Sequence, residues 1–227
     1  MKKFKKLSII IPVFNEERYI VRAIKKVKMA STLGLKKQII VVNDGSTDKT
    51  YQKLKNSKTQ ELKLGDKIKI INFRRNRGKG AAIRAALKKV TGQVVVIQDA
   101  DLEYDPDEYI YLLQPILDGD ADVVYGSRFM GDRPHRVLFF WHMVANKMLT
   151  LISNMFTNIN LTDMETGYKM FTKRVAKMIR LNENRFGFEP EFTAKVSLLG
   201  ARIYEVGISY RGRGYDQGKK INWKDGL

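Results

Sequence analysis

Gln93-Val-Val-Val-Ile-Gln-Asp-Ala-Asp101 is the stretch that decides the fold. Its uncharged β-branched run reads as a strand buried on both faces, as the strands of parallel sheets are. Two carboxylates, Asp99 and Asp101, stand one residue apart where that strand stops. Open α/β sheets bind ligands at the carboxyl ends of their strands, so the position of this pair matters as much as its composition.

The same punctuation recurs on either side. Leu7-Ser-Ile-Ile-Ile-Pro-Val13, Gln38 to Val42 and Ile68 to Asn72 read as three earlier strands, and Ala121 to Tyr125 as a fifth. Between them, Tyr19, Ile20, Ala23, Ile24 and Val27 recur at helical spacing from Glu16 to about Ser31. Gly78 to Val90 and Pro106 to Leu117 read as helices, and Asn43-Asp-Gly-Ser-Thr-Asp48 as a turn that caps another. Strand and helix alternate, which predicts an α/β fold with a mostly parallel central sheet covered on both faces.

The second half is less regular. Val137 to Phe156 has about the length of a membrane span, but His142, Asn146, Lys147 and Asn154 interrupt it. It reads as a helix lying in a membrane interface, the plainer alternative being a buried helix or helical hairpin.

A chain of 227 residues suits one large domain, and no linker or fixed-period repeat divides it. Cysteine is absent, so thiolate chemistry and disulfides are excluded. Met1 to Lys6 is basic, but the apolar run after it is too short for a secretion signal, and the chain is expected to stay in the cytosol. The formal charge of +18 favours polyanions such as anionic headgroups or phosphorylated substrates. Nucleic acid is not an expected partner, because the Lys and Arg residues are spread along the chain without a reading element.

Four polar motifs fall at strand ends. Asp99 and Asp101 can jointly hold a hard divalent cation, with Glu103 completing the cluster; a helix-capping acidic loop is the alternative. Asp44, in Asn43-Asp-Gly-Ser46, is placed to accept from a nucleobase or to cap a helix. Pro12 is expected to break the first strand, so that Phe14 and Glu16 project into the crevice beyond it. Arg74-Arg-Asn-Arg-Gly-Lys-Gly80 offers backbone N–H groups and cations to phosphate, although it is not a Walker A loop.

Taken in order, Pro-x-Phe-Asn-Glu, Asn-Asp-Gly-Ser, Gly-Lys-Gly and Asp-Ala-Asp on successive βα units resemble the family 2 glycosyltransferases of the GT-A fold. Gly126-Ser-Arg128, Thr162-Asp-Met-Glu-Thr-Gly167 and Phe188-Glu-Pro-Glu191 are similar to the branch that makes polyprenyl- and dolichyl-phosphate sugars. The resemblance runs from end to end. It implies a Rossmann-like, nucleotide-sugar-binding single domain over residues 1–227, with a donor half at 1–128 and an acceptor half at 129–227. The acceptor half would carry amphipathic helices at 134–157 and a C-terminal loop at 210–227.

The resemblance also implies roles. Pro12, Phe14, Glu16 and Asp44 would hold the nucleoside of a nucleotide-diphosphate sugar, with Gly78 and Lys79 nearby. Asp99 and Asp101 would bind Mg²⁺ or Mn²⁺; Glu103 falls where relatives place a glutamine ligand. Arg128 would face a phosphate, and Asp163, Thr166 and Gly167 resemble the acceptor-side loop. Asp101, Arg128 and Asp163 are thus the expected catalytic groups. Arg133 and Arg136 precede the amphipathic segment, where the family commonly places basic residues within it, and they join the acceptor-side set.

Arg211 and Arg213 are further candidate phosphate ligands, in a stretch read as a loop closing over donor or acceptor, a disordered basic tail being the alternative. Glu189 and Glu191 either touch the sugar or cap a helix starting near Pro190. His135 and His142 read as structural or interfacial.

The implied reaction inverts the anomeric centre, with a polyprenyl or dolichyl phosphate as acceptor at the cytosolic membrane face. Such a phosphate is already anionic, so no strong general base is needed. A transferase using a sugar hydroxyl or glycan and, further off, a sugar nucleotidyltransferase are the enzymatic alternatives. A basic binding module is the non-enzymatic one.

Overall fold

The computed structural model describes residues 4–57, 68–131, 134, 136, 137 and 139–214. Among them the first half alternates as expected: β1 (Lys6–Val13), α1 (Ile20–Met29), β2 (Lys36–Asn43), α2 (Thr50–Ser57), β3 (Ile68–Asn72), α3 (Lys79–Leu87) and β4 (Val94–Ile97). A 3₁₀ turn at Pro106–Glu108 then runs into α4 (Tyr109–Leu117), followed by β5 (Val123–Ser127). The second half adds α5 (Phe140–Thr157), β6 (Lys169–Thr172), α6 (Lys173–Met178), α7 (Phe188–Leu198) and β7 (Ile203–Gly207).

All seven strands form one sheet in the order β3-β2-β1-β4-β6-β5-β7. The first four positions are parallel, as is β5 with β7, whereas β6 runs antiparallel to both β4 and β5. The reversed β6 matters for the site. Its amino end, with the loop before it, lies beside the carboxyl ends of β4 and β5.

Side chains alternate across each strand, and this sorts β1 between two cores. Leu7, Ile9, Ile11 and Val13 pack with α1 and α4 residues such as Ile24, Val27, Leu112 and Ile116. Ile10 faces the other way, with Ile83 of α3 and Phe188 and Phe192 of α7.

Pro12 does not break β1, contrary to the reading from sequence. It pairs with Val42 of β2 inside the strand. The ladder with β4 ends two residues earlier, at Ile10 and Ile97, so the missing N–H of Pro12 interrupts no pairing on that side.

The apolar segment of the second half is the single helix α5. It rests on α7 and the 161–164 loop through its polar residues. Asn154 donates to and accepts from the Leu161 backbone, Thr150 Oγ1 accepts from Met164 N–H, and Ser197 donates to the Thr157 carbonyl. Of the four residues that interrupt the apolar run, Asn154 thus fastens the helix to the domain. Its other side is apolar and open, with Trp141 75% and Phe156 87% exposed. Among the described residues no helix is long and apolar enough to cross a membrane.

Candidate active site

The loops after β1, β2, β3, β4 and β5 meet along one edge of the sheet, joined by the loop before β6. The first two are stitched together. Asn15 N–H donates to Ser46, Asn15 Oδ1 accepts from Thr47 N–H, and Glu16 N–H donates to Thr50. Gly45 has φ +69°, and an added Cβ there would run into the Arg75 backbone, so this turn needs glycine.

Asp44, 3% exposed, accepts from the backbone N–H groups of Arg77 and Gly78 at 2.8 Å each, and from Asn76 Nδ2 at 3.0 Å. Burial lifts its carboxyl above the usual range, while those N–H groups and nearby Arg77 and Arg185 pull the other way. Its first role is therefore to shape the Arg74–Gly78 loop, with the remaining lone pairs available to a base. Phe14 sits at the rim, partly exposed.

Past the end of β4 each acid has taken a basic partner. Lys79, next after Gly78, holds Asp99 at 3.1 Å and Glu189 at 3.1 Å. Arg213 reaches in from beyond β7 to Glu16 at 3.2 Å, Asp101 at 3.1 Å and Glu103 at 3.2 Å. Glu103 also accepts from Tyr210 Oη at 2.7 Å and Arg213 N–H at 3.0 Å.

Two expectations change here. Arg213 is not placed as a free phosphate ligand, because three carboxylates already share its guanidinium. Glu103 is turned to the C-terminal segment, and among the described residues no three acidic or imidazole groups converge as a ready metal cage.

Asp99 and Asp101 still fit a cation. Burial, and then the charges of Glu103 and Asp99, push the Asp101 carboxyl up to about 7 despite Arg213. Lys79 and Arg213 are shared among Asp99, Glu189, Glu16, Asp101 and Glu103, so acid outnumbers base here, as suits a divalent ion.

Further along the edge, Arg128 follows β5 and forms a bidentate pair with Asp163, 2.7 Å on both bonds. The Arg128 N–H also donates to Asp163, which is fully buried. Asp163, expected among the catalytic groups, is thus held against Arg128 and orients it. Arg128 is held firmly protonated, and its guanidinium also faces the Tyr210 ring at 5.4 Å.

Thr166 is likewise internal, donating to the Gly126 carbonyl at 2.7 Å and accepting from Tyr168 N–H. It builds the turn and has no surface for an acceptor. Gly167 lies against Asp99 and Lys79, where any side chain would run into Asp99 Oδ2.

The remaining acceptor-side candidates separate. Arg136 and Arg211 line one cleft of about 770 Å³ with Tyr210, but Asp105, Asp107 and Glu108 line it too. Arg211 stays largely exposed, 3.6 Å from Asp105. Arg133, His135 and residues 215–227 lie outside the described residues.

Glu189 and Glu191, left open by the sequence, both sit in the first turn of α7. Glu191 accepts from the Asn182 and Glu183 N–H groups and pairs with Lys195, a structural task. Glu189 is buried beside Lys79.

Two further groups escaped the sequence reading. Lys169 is fully buried in β6, donating to the Met164 and Thr166 carbonyls, and burial lowers its ammonium to about 8. Glu165 is raised to about 7, by burial and then by the charge of Glu189. Glu165 was visible inside the 162–167 motif; Lys169 in an otherwise apolar run gave no signal of its own.

This edge can be compared with known proteins. Residues 8–180 match the model of the glycosyl transferase family 2 domain. The chain is 28% identical over 222 residues to a dolichol-phosphate mannosyltransferase of Pyrococcus furiosus, covering 95% of this chain and 60% of that one. It is 28% identical over 217 residues to a dolichyl-phosphate β-glucosyltransferase of Trichomonas vaginalis, covering 90% and 65%. The chain thus spans less than two thirds of these relatives.

Among solved structures, glucosyl-3-phosphoglycerate synthase of Mycobacterium tuberculosis, in complex with Mn²⁺, UDP and phosphoglyceric acid, superposes with a TM-score of 0.71. Identity there is 18%, with 94% of this chain and 73% of that one covered, so the likeness is one of fold. With the family model spanning most of the chain and the GT-A-like sheet beneath it, the protein belongs to glycosyl transferase family 2.

Proposed function

We propose that the chain transfers a hexose from a nucleotide-diphosphate sugar, of the GDP-mannose or UDP-glucose type, to a polyprenyl or dolichyl phosphate at the cytosolic membrane face, with inversion. The observation that carries this is the order of charge along the sheet edge. The Asp44-shaped loop comes first, then Lys79 with Asp99 and Asp101, then Arg128 locked by Asp163. Nucleoside, diphosphate and acceptor phosphate follow in that sequence. The names of the two relatives support the lipid-phosphate acceptor.

Arg128 is the natural acceptor ligand. Its orientation is fixed before substrate arrives, so little entropy is lost on binding. The phosphate oxygen attacks the anomeric carbon as the bond to the diphosphate breaks. No group need remove a proton, which agrees with Asp163 being held against Arg128. Lys79 and the Gly78 loop would face the leaving diphosphate. Asp99 and Asp101 would hold Mg²⁺ or Mn²⁺, which when bound supplies Lewis-acid stabilisation of the leaving diphosphate. The open apolar side of α5 would lie in the headgroup region, bringing the site to the lipid acceptor.

The test is transfer of labelled sugar to polyprenyl phosphate in detergent. GDP-mannose, UDP-glucose and UDP-N-acetylglucosamine are compared with Mn²⁺, with Mg²⁺ and with EDTA. An organic-extractable product that EDTA abolishes is expected from one donor. Transfer to soluble glycans alone would replace the lipid acceptor with a sugar hydroxyl.

A further inference from the structure

Both aspartates that end β4 are counter-charged by a basic side chain, and each of those side chains has a second acid within reach. Lys79 sits between Asp99 and Glu189, and Arg213 between Asp101, Glu16 and Glu103. Glu189 is the more informative partner. It is almost wholly buried, in the first turn of α7, far in sequence from the β4 loop. One of its oxygens meets Lys79, while Oε2 is buried without a hydrogen-bond partner among the described residues. A buried carboxylate oxygen left unmatched is costly, and one that persists calls for a reason.

A cation arriving at Asp99 meets an ammonium already there. A divalent ion and a lysine cannot share one carboxylate without strong repulsion in so dry a place. Lys79 therefore needs its other acid if it is to remain in the site, and Glu189, already 3.1 Å away and with one oxygen unmatched, is that acid.

We infer that Glu189 is a positioning residue that retains Lys79 when a divalent cation takes Asp99, so that metal and lysine occupy the diphosphate site together. Arg213 stands in the same relation to Asp101, with Glu16 and Glu103 as its alternative acids. Gly167 contributes by leaving the space beside Asp99 and Lys79 open for the exchange. The inference rests on the reading of Asp99 and Asp101 as cation ligands, and it concerns a residue outside that pair.

Mn²⁺ titration of the full chain by calorimetry, without donor or acceptor, tests it. In Glu189→Gln the lysine has only Asp99 to hold and competes with the metal, so Mn²⁺ affinity should fall by about tenfold. In the double variant Lys79→Met plus Glu189→Gln the competitor is gone, and affinity should return to near the wild-type value. Circular dichroism checks that each variant is folded. Unchanged Mn²⁺ affinity in folded Glu189→Gln, or a double variant as weak as the single one, overturns the inference. Loss of Mn²⁺ binding in Asp99→Asn is the control; if wild type and Asp99→Asn bind Mn²⁺ alike, the metal reading itself falls.

Discussion

Arg128 and Asp163 are separated by 35 positions in the chain and share two bonds of 2.7 Å. Asp163 has no solvent to fall back on, and Arg128 has little. Removing the acid leaves a guanidinium in a dry pocket, so Asp163→Asn should cost about 3–5 kcal/mol, read by denaturant unfolding. Loss of transfer without loss of stability would instead make Asp163 a participant in the reaction.

Lys169 gives a second residue-scale expectation. Its folded value of about 8 lies below the ordinary lysine value of 10.5, so between these pH values the unfolded chain binds more protons than the folded one. Stability attributable to this residue therefore rises as pH rises from about 8 towards 10, and Lys169→Met should flatten that slope in thermal unfolding.

Neither pairing was legible in the sequence. A carboxylate within a motif looks the same whether it faces substrate or an arginine, and Arg213 meets Glu16 across 197 positions. What was legible was the placement of the motifs, because a strand end is a local property.

At the scale of elements, strands β1 to β5 and helices α1 to α4 could be read because each is a short apolar run or a helical stripe closed by turn residues. β6 could not, since Lys169 interrupts its apolar run and is tolerated only through the Met164 and Thr166 carbonyls. Pro12 misled for the same reason: whether it breaks a strand depends on where the neighbouring strand stops.

α5 was legible as apolar, and the structure sorts its two sides. Trp141 and Phe156 lie on the open one. Replacing both with Ser should reduce sedimentation with vesicles of anionic lipid several-fold while leaving thermal stability within about 0.5 kcal/mol, since exposed side chains contribute little to folding. Unchanged sedimentation would remove α5 from membrane contact.

For the whole molecule, the two halves of the sequence are not two halves of the structure. β6 is inserted between β4 and β5, and β7 is added outside β5. A chain emerging from the ribosome finishes five strands before the one that joins them exists. Until Thr172 has been made, β4 and β5 each present a bare edge that the completed sheet hides, an opening for pairing with other nascent chains. Closure waits for the long-range contacts of β6, so the slow step of folding follows the synthesis of Thr172, and products that stop short of it carry the risk of aggregation.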